Sequence, residues 1–142
     1  MDLYAENILD HYRYPRGKKT IADPTVTHSE VNLSCGDRVT VSLTLKGDRI
    51  QEFGWDGEGC AVSQAAMSIL AEELEGKSLD AIASLTPVHV RAKLGVPIST
   101  RRLKCAFLAL HALKNLLRVR EGLPLQSWEE TMNEEYGAAG GN

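Results

Sequence analysis

Between Val39 and Leu45 the apolar residues Val39, Val41, Leu43 and Leu45 alternate with Thr40, Ser42 and Thr44. A period of two marks an extended strand with one buried face. Gly47-Asp48 comes next, the kind of pair that closes a tight hairpin, so Arg49 to Trp55 is predicted to return as a second strand. Phe53 and Trp55 share a face of that strand while Ile50 is out of phase with them, which predicts a bulge near Gln51. Upstream, Val31, Leu33 and Cys35 also alternate and predict a third strand that runs into the cysteine. Connections this short force an antiparallel meander.

The rest of the chain changes to a helical period. Tyr4, Ala5, Ile8, Leu9 and Tyr12 form one stripe over 2–13, and Pro15 stops it. Asp56-Gly57-Glu58-Gly59 reads as a glycine-rich turn, after which Val62, Ala65, Ala66, Ile69, Leu70 and Leu74 define a helix from Cys60 to Gly76. Ser78 is placed to cap a short helix through Leu85, and Thr86-Pro87 to begin another that Gly95 closes. The longest helix follows Ser99-Thr100, with Leu103, Phe107, Leu110, Leu113 and Leu117 at three- and four-residue steps and Cys105 near its start. Ser127-Trp128-Glu129-Glu130 has the order of a capping box, predicting a last short helix toward Tyr136. Strands first and helices afterward give an α+β fold, a three-stranded antiparallel sheet with helices packed mainly on one face.

A chain of 142 residues, 43% hydrophobic and 25% charged, suits one globular domain. We place it at 1–136, with the small residues at 137–142 expected to be a disordered tail. Sixteen Lys and Arg against nineteen Asp and Glu give a net charge of -3. That balance lacks the basic footprint of a nucleic-acid binder. No apolar run reaches the length of a bilayer span, and Met1 to Glu6 has neither the basic start nor the apolar core of an export signal. The expectation is a cytoplasmic protein without a membrane partner.

Cysteine usage changes the picture. An odd set, Cys35, Cys60 and Cys105, argues against a disulfide framework and leaves two roles for reduced thiols, buried filler or chemistry. Each sits at an element junction. Cys60 opens a helix, where free N–H groups and the macrodipole favour a thiolate, and Arg101, Arg102 and Lys104 lie beside Cys105. In Cys35-Gly36-Asp37 the first and third residues of an extended segment project to one side, and Gly36 lets the chain bend so that both reach one ion. Taken together, Cys35, Asp37, Cys60 and Cys105 are a four-ligand set for tetrahedral Zn²⁺ or for the terminal positions of a [2Fe-2S] cluster. Either occupant leaves a charge of about -2, which nearby cations would balance. One hard oxygen among the soft sulfurs weakens the hold on the metal and suits a ligand that is released or exchanged.

Histidine is a poorer source of a fourth ligand. His111, six residues past Cys105, is displaced by about 9 Å along the helix, and a surface or interface position is expected for it. His11, His28 and His89 are read as ordinary polar histidines. Two other functions use the same residue types. A zinc hydrolase or deaminase needs an open coordination position and a general base, for which Glu58 is the candidate, but the sequence has no H-x-E element and no C-x-x-C pair. A purely structural zinc module is disfavoured because the amphipathic helices supply a core without a metal.

Four pieces in order carry a resemblance: Leu9-Asp10-His11-Tyr12-Arg13-Tyr14-Pro15-Arg16, Cys35-Gly36-Asp37, Gly57-Glu58-Gly59-Cys60-Ala61-Val62-Ser63 and Arg102-Leu103-Lys104-Cys105-Ala106. With them the chain resembles the U-type iron-sulfur cluster assembly scaffolds, the IscU, SufU and NifU amino-terminal family, from about Leu3 to Leu117. The resemblance implies a SufE/NifU-like fold. It also implies that Cys35, Asp37, Cys60 and Cys105 hold zinc, iron or a transient [2Fe-2S] cluster. A cysteine desulfurase would deliver persulfide sulfur to Cys35 or Cys105, and apo iron-sulfur proteins or carriers would be the recipients. The implied role is a scaffold and sulfur acceptor, not an enzyme turning over a small molecule. Mobility for this relay is expected from Gly57, Gly59 and the loop around Cys35.

Departures from the family pattern matter too. The chaperone-dependent branch has an L-P-P-V-K motif and a histidine before its third cysteine, whereas this chain has Val96-Pro97-Ile98-Ser99-Thr100 and Lys104. That speaks against an Hsp70-type cluster-release partner. The Arg102 to Cys105 spacing and Lys104 look like the SufU branch, yet only 44 residues separate Cys60 from Cys105, so most of that branch's insertion is missing.

Overall fold

The structure is a computed structural model that describes residues 3–134. The expected tail at 137–142, and the approach to Tyr136, lie outside the described residues. Three strands, β1 (Val26–Asn32), β2 (Asp37–Lys46) and β3 (Arg49–Glu58), form one antiparallel sheet in the order β1-β2-β3. The period-two segment is β2, and it buries Val39, Val41 and Leu43. Gly47 takes a φ of 63° in the first central position of the hairpin, a left-handed geometry glycine adopts without steric penalty. Thr44 pairs with Glu52 and Leu45 with Ile50, so Gln51 is the extra residue of the bulge. That one insertion brings Ile50 into the core alongside Phe53 and Trp55.

Two expectations about the strands are corrected. The first strand stops at Asn32, and its inward positions are Val26, His28, Glu30 and Asn32. Val31 and Leu33, the alternating apolar residues that predicted the strand, are 42% and 91% exposed. A period of two cannot by itself say which phase faces the core, and here the inward His28, Glu30 and Asn32 are polar because they form a seam with His111, Asn115 and Cys105 of the opposing helix. The second correction concerns Asp56-Gly57-Glu58, which is the end of β3 and not a turn. Gly57 pairs with Val39, and a Cβ on it would come within 2.5 Å of the Arg38 carbonyl oxygen. This glycine permits close strand approach; it is not a hinge.

The helices are α1 (Leu3–Arg13), α2 (Ala61–Leu74), α3 (Leu79–Ala83), α4 (Pro87–Leu94), α5 (Leu103–Glu121) and α6 (Trp128–Met132), with a 3₁₀ turn at Thr100–Arg102 leading into α5. Their ends follow local chemistry. Thr86 Oγ1 accepts the His89 N–H at 3.2 Å, and Gly95 ends α4 in the left-handed conformation. Ser127 and Glu130 form the reciprocal capping box of α6. α5 packs on β1 and β2, α2 on β3, and α1 on α2. The helices therefore cover one face of the sheet, and Thr40, Ser42 and Thr44 on the other face of β2 stay partly solvated. No helix among the described residues is long and apolar enough to cross a membrane.

Every residue of α5 from Cys105 to Leu116 is buried, because the helix is enclosed by β1, β2, α2, α3, α4 and α6. His111 is therefore not at the surface. Its Nδ1 lies 2.6 Å from Thr131 Oγ1 and its ring stacks on Trp128 with centroids 4.1 Å apart. A similar correction applies to α1, where Tyr12 is exposed and His11 is buried with Nδ1 2.7 Å from Ser68 Oγ. His28 and His89 bond Glu30 and Glu73, as ordinary polar histidines do.

Candidate metal centre

Five element ends meet at one end of the sheet. Asn32 closes β1, and its carbonyl accepts the N–H groups of Cys35 and Gly36 at 3.3 and 2.8 Å. Gly36 completes that turn with a φ of 79°, a value most side chains avoid. The turn leaves Cys35 exposed and delivers Asp37, paired with Asn32, as the buried first residue of β2. β3 ends at Glu58, and after Gly59 the chain enters α2 with Cys60 as its N-cap. Cys105 lies in the first turn of α5 and is buried.

These placements bring the sequence candidates together. The ligand atoms of Cys35, Asp37 and Cys105 all lie within 4.8 Å of one another. Cys60 stands outside that trio but beside it, with Sγ 3.6 Å from Asp37 Oδ2 and its N–H donated to Asp37 Oδ1 at 3.2 Å. Adjacent ligand atoms of a tetrahedral zinc site with the usual sulfur and oxygen bond lengths are roughly 3.5–3.8 Å apart. The Cys35 and Cys105 sulfurs are 3.5 Å apart, and the Cys60-to-Asp37 separation is of the same size. Cys35, Asp37 and Cys105 thus have the donor types and close spacing of a sulfur-rich tetrahedral site, while Cys60 lies outside that spacing and meets Asp37 alone among them.

Electrostatics around the trio reflect closely packed acids. Burial works to raise the Asp37 carboxyl, but hydrogen bonds from the Cys35 and Cys105 thiols and from the N–H and thiol of Cys60 outweigh it and hold Asp37 below its ordinary value. Burial pushes the Cys105 thiol up, and its hydrogen bonds with Cys35 and Asp37 and the neighbouring negative charge add to the rise. A cation reverses that preference, since sulfur ligates as thiolate. Arg101 and Arg102 line the same open pocket as the three cysteines and Asp37 and supply positive charge at its mouth. Lys104, the third expected cation, lies instead over the Trp128 ring at 5.9 Å.

Sequence reading missed Asn32 and gave Gly59 a role in mobility only. A Cβ on Gly59 would sit 2.6 Å from Asp37 Oδ1 and 2.7 Å from Ser63 Oγ, so this glycine makes room for the carboxylate. Asn32, 3% exposed, directs its side-chain amide nitrogen at Cys35 Sγ, 3.0 Å away. Residue type alone gave no signal for Asn32, because its contact with Cys35 exists only in the folded chain. Glu58, the candidate base of the hydrolase reading, is exposed and pairs with Arg38 at 2.8 Å. It does not line the pocket, and that reading is not favoured.

The sequence matches the NifU-like N terminal domain over residues 3–119. The chain belongs to the NifU-like N-terminal domain family. Among its relatives is the zinc-dependent sulfurtransferase SufU of Bacillus subtilis, 30% identical over 137 residues that cover 84% of this chain and 92% of the relative. The iron-sulfur cluster assembly scaffold protein IscU of Thermotoga maritima is 29% identical over 102 residues, 72% of each chain. A crystal structure from thermophilic Fervidobacterium islandicum, of a protein assigned as an iron-sulfur cluster assembly scaffold for the SUF system, superimposes with a TM-score of 0.68. It is 26% identical and the match covers 79% of this chain and 94% of that one. The resemblance seen in four short motifs is thus a family membership, and the U-type α+β fold is shared.

Proposed function

We propose that this NifU-like domain is an iron-sulfur cluster assembly scaffold and sulfur acceptor that takes sulfane sulfur from a cysteine desulfurase and holds zinc, iron or a transient [2Fe-2S] cluster through Cys35, Asp37, Cys60 and Cys105. The observation that carries the reading is the meeting of three thiols and one carboxylate, from four element ends, in one open pocket. Relatives named as a zinc-dependent sulfurtransferase and as cluster assembly scaffolds support it.

Sulfur acceptance follows from exposure. In such a transfer an acceptor thiolate attacks the outer sulfur of the donor's persulfide, a new S–S bond forms, the donor's S–S bond breaks and the donor cysteine leaves as its own thiolate. Cys35 is the exposed thiol of the pocket and Cys105 is buried, so Cys35 is the first acceptor in this proposal. Arg101 and Arg102 would balance the negative charge that the transfer accumulates. When a metal ion is bound it keeps its sulfur ligands deprotonated. The recipients are apo iron-sulfur proteins or carriers. The role is that of a stoichiometric acceptor and scaffold; the sulfurtransferase name of the Bacillus subtilis relative fits the acceptor half of such a relay.

The test is incubation of the purified protein with a cysteine desulfurase, cysteine and ferrous iron, followed by visible absorption and by mass spectrometry of the cysteine peptides. A charge-transfer spectrum and a persulfide are expected. Finding neither would reject the proposal.

A further inference from the structure

Asn32 is a buried amide whose nitrogen is spent on sulfur. The residue ends β1, is 3% exposed, and pairs in register with Asp37. Its side-chain oxygen accepts the Ser34 N–H at 3.2 Å, a bond within the turn. The amide nitrogen donates to Cys35 Sγ at 3.0 Å and points toward Cys105 Sγ at 3.9 Å. A buried amide N–H without an acceptor is destabilising, and both acceptors of this one are cysteines proposed as ligands, themselves 3.5 Å apart. Asn32 therefore spans the exposed thiol and the buried one.

We propose that Asn32 is a positioning residue that clamps the Cys35 and Cys105 sulfurs as a pair and, through N–H···S donation, sets how tightly they hold a metal. The inference rests on the ligand reading above and adds a residue to it. A neutral amide is well suited to the task. It offers hydrogen to sulfur without competing for the metal, while a carboxylate at this position would be another ligand and a cation would add charge against the incoming ion. Groups that hydrogen-bond metal ligands orient them and tune their basicity, and losing one typically lowers metal affinity by ~10–100-fold.

If Asn32 served only the turn, any residue with a turn-forming oxygen would replace it. Asn32→Ser keeps such an oxygen for the Ser34 N–H and removes the amide donor, its shorter hydroxyl ending one atom short of the position from which Nδ2 reaches the two sulfurs. The donor role predicts that Asn32→Ser, folded by its melting curve, binds Zn²⁺ about 10–100-fold more weakly in chelator competition. Its Co²⁺ adduct should show the sulfur-to-cobalt charge-transfer band at lower energy, as expected when a thiolate loses a hydrogen bond. A wild-type measurement, independent of how the variant folds, is the side-chain amide resonance of Asn32 during Zn²⁺ titration, which should shift as the sulfurs become metal-bound thiolates. Wild-type affinity and an unmoved cobalt band in Asn32→Ser, or an undisturbed Asn32 amide in zinc-loaded wild type, would overturn the inference and leave the ligand reading standing. Failure of the wild-type protein to bind Zn²⁺ through its cysteines would remove both.

Discussion

Cys35 and Cys105 touch, yet only Cys35 is open to a partner. Cys35→Ser is therefore expected to abolish persulfide formation in the desulfurase assay, while Cys105→Ser keeps most of it; peptide mass spectrometry reads both outcomes, and the reverse pattern would place first acceptance at Cys105. Asp37 differs from the cysteines in having two tasks. As the proposed hard donor in a soft set it would keep a bound metal exchangeable, and through Oδ1 it accepts the Cys60 N–H that opens α2. Asp37→Ala should cost about 1 kcal/mol of metal-free stability, the usual worth of such a terminal acceptor. It should also slow zinc transfer to a chelator several-fold; faster loss would contradict the weak-ligand argument. The candidate ligands could be found from residue type because thiols at element junctions invite chemistry. Gly59 and Asn32 could not, since their roles depend on contacts with Asp37 and Cys35 that only the folded chain creates.

At the scale of elements, the sequence was clearest where one face is buried and the other wet. β2 alternates, and its partner's bulge at Gln51 was visible as a phase error. The capping box of α6 was equally local. Legibility failed where both sides are covered. α5 is buried all round between Cys105 and Leu116, so no polar stripe marks a solvent face, and β1 turns His28, Glu30 and Asn32 inward against that helix. The result is a polar seam: Asn115 donates to Glu30 at 2.8 Å and the His111 Nε2 lies 3.7 Å from the other Glu30 oxygen. Burial, the largest influence, lowers the His111 pKa; His28 adds to the fall, while Glu30 and Glu134 oppose it, and the Lys114 ammonium pairs with Glu134 at 2.9 Å. A histidine lowered in the folded state is protonated first in the unfolded chain. Its stabilising contribution is complete above the ordinary histidine value of 6.5 and is lost as the pH falls through the lower folded value. The melting temperature should therefore drop between about pH 7 and pH 5, above the range where ordinary carboxylates titrate. His111→Gln should flatten that slope, and an unchanged slope would assign the pH dependence elsewhere, with His11, also lowered chiefly by burial, as the next group to test.

Across the whole molecule the core and the site occupy different places. Val41, Leu43, Ile50, Met67, Leu110 and Leu113 are buried without contribution from the pocket of the candidate ligands, which lies where the ends of β1, β2, β3, α2 and α5 and the 3₁₀ turn converge. Hydrophobic burial in the middle is what folds the chain, and the two helix N-termini at the rim direct positive dipole ends toward the anionic donors. A metal is then a ligand of a folded protein and not the nucleus of folding. The metal-free protein is expected to melt in one cooperative transition. Free zinc at 100 times its dissociation constant should add about 2.7 kcal/mol, which for a chain of this size raises the melting temperature by roughly 8 °C. Calorimetry with and without a chelator measures both quantities. A structural zinc module behaves differently, because its folding energy is its binding energy. Loss of the cooperative transition on chelation would therefore show that the converging element ends need the metal to meet, and that the pocket is a staple and not an exchange site.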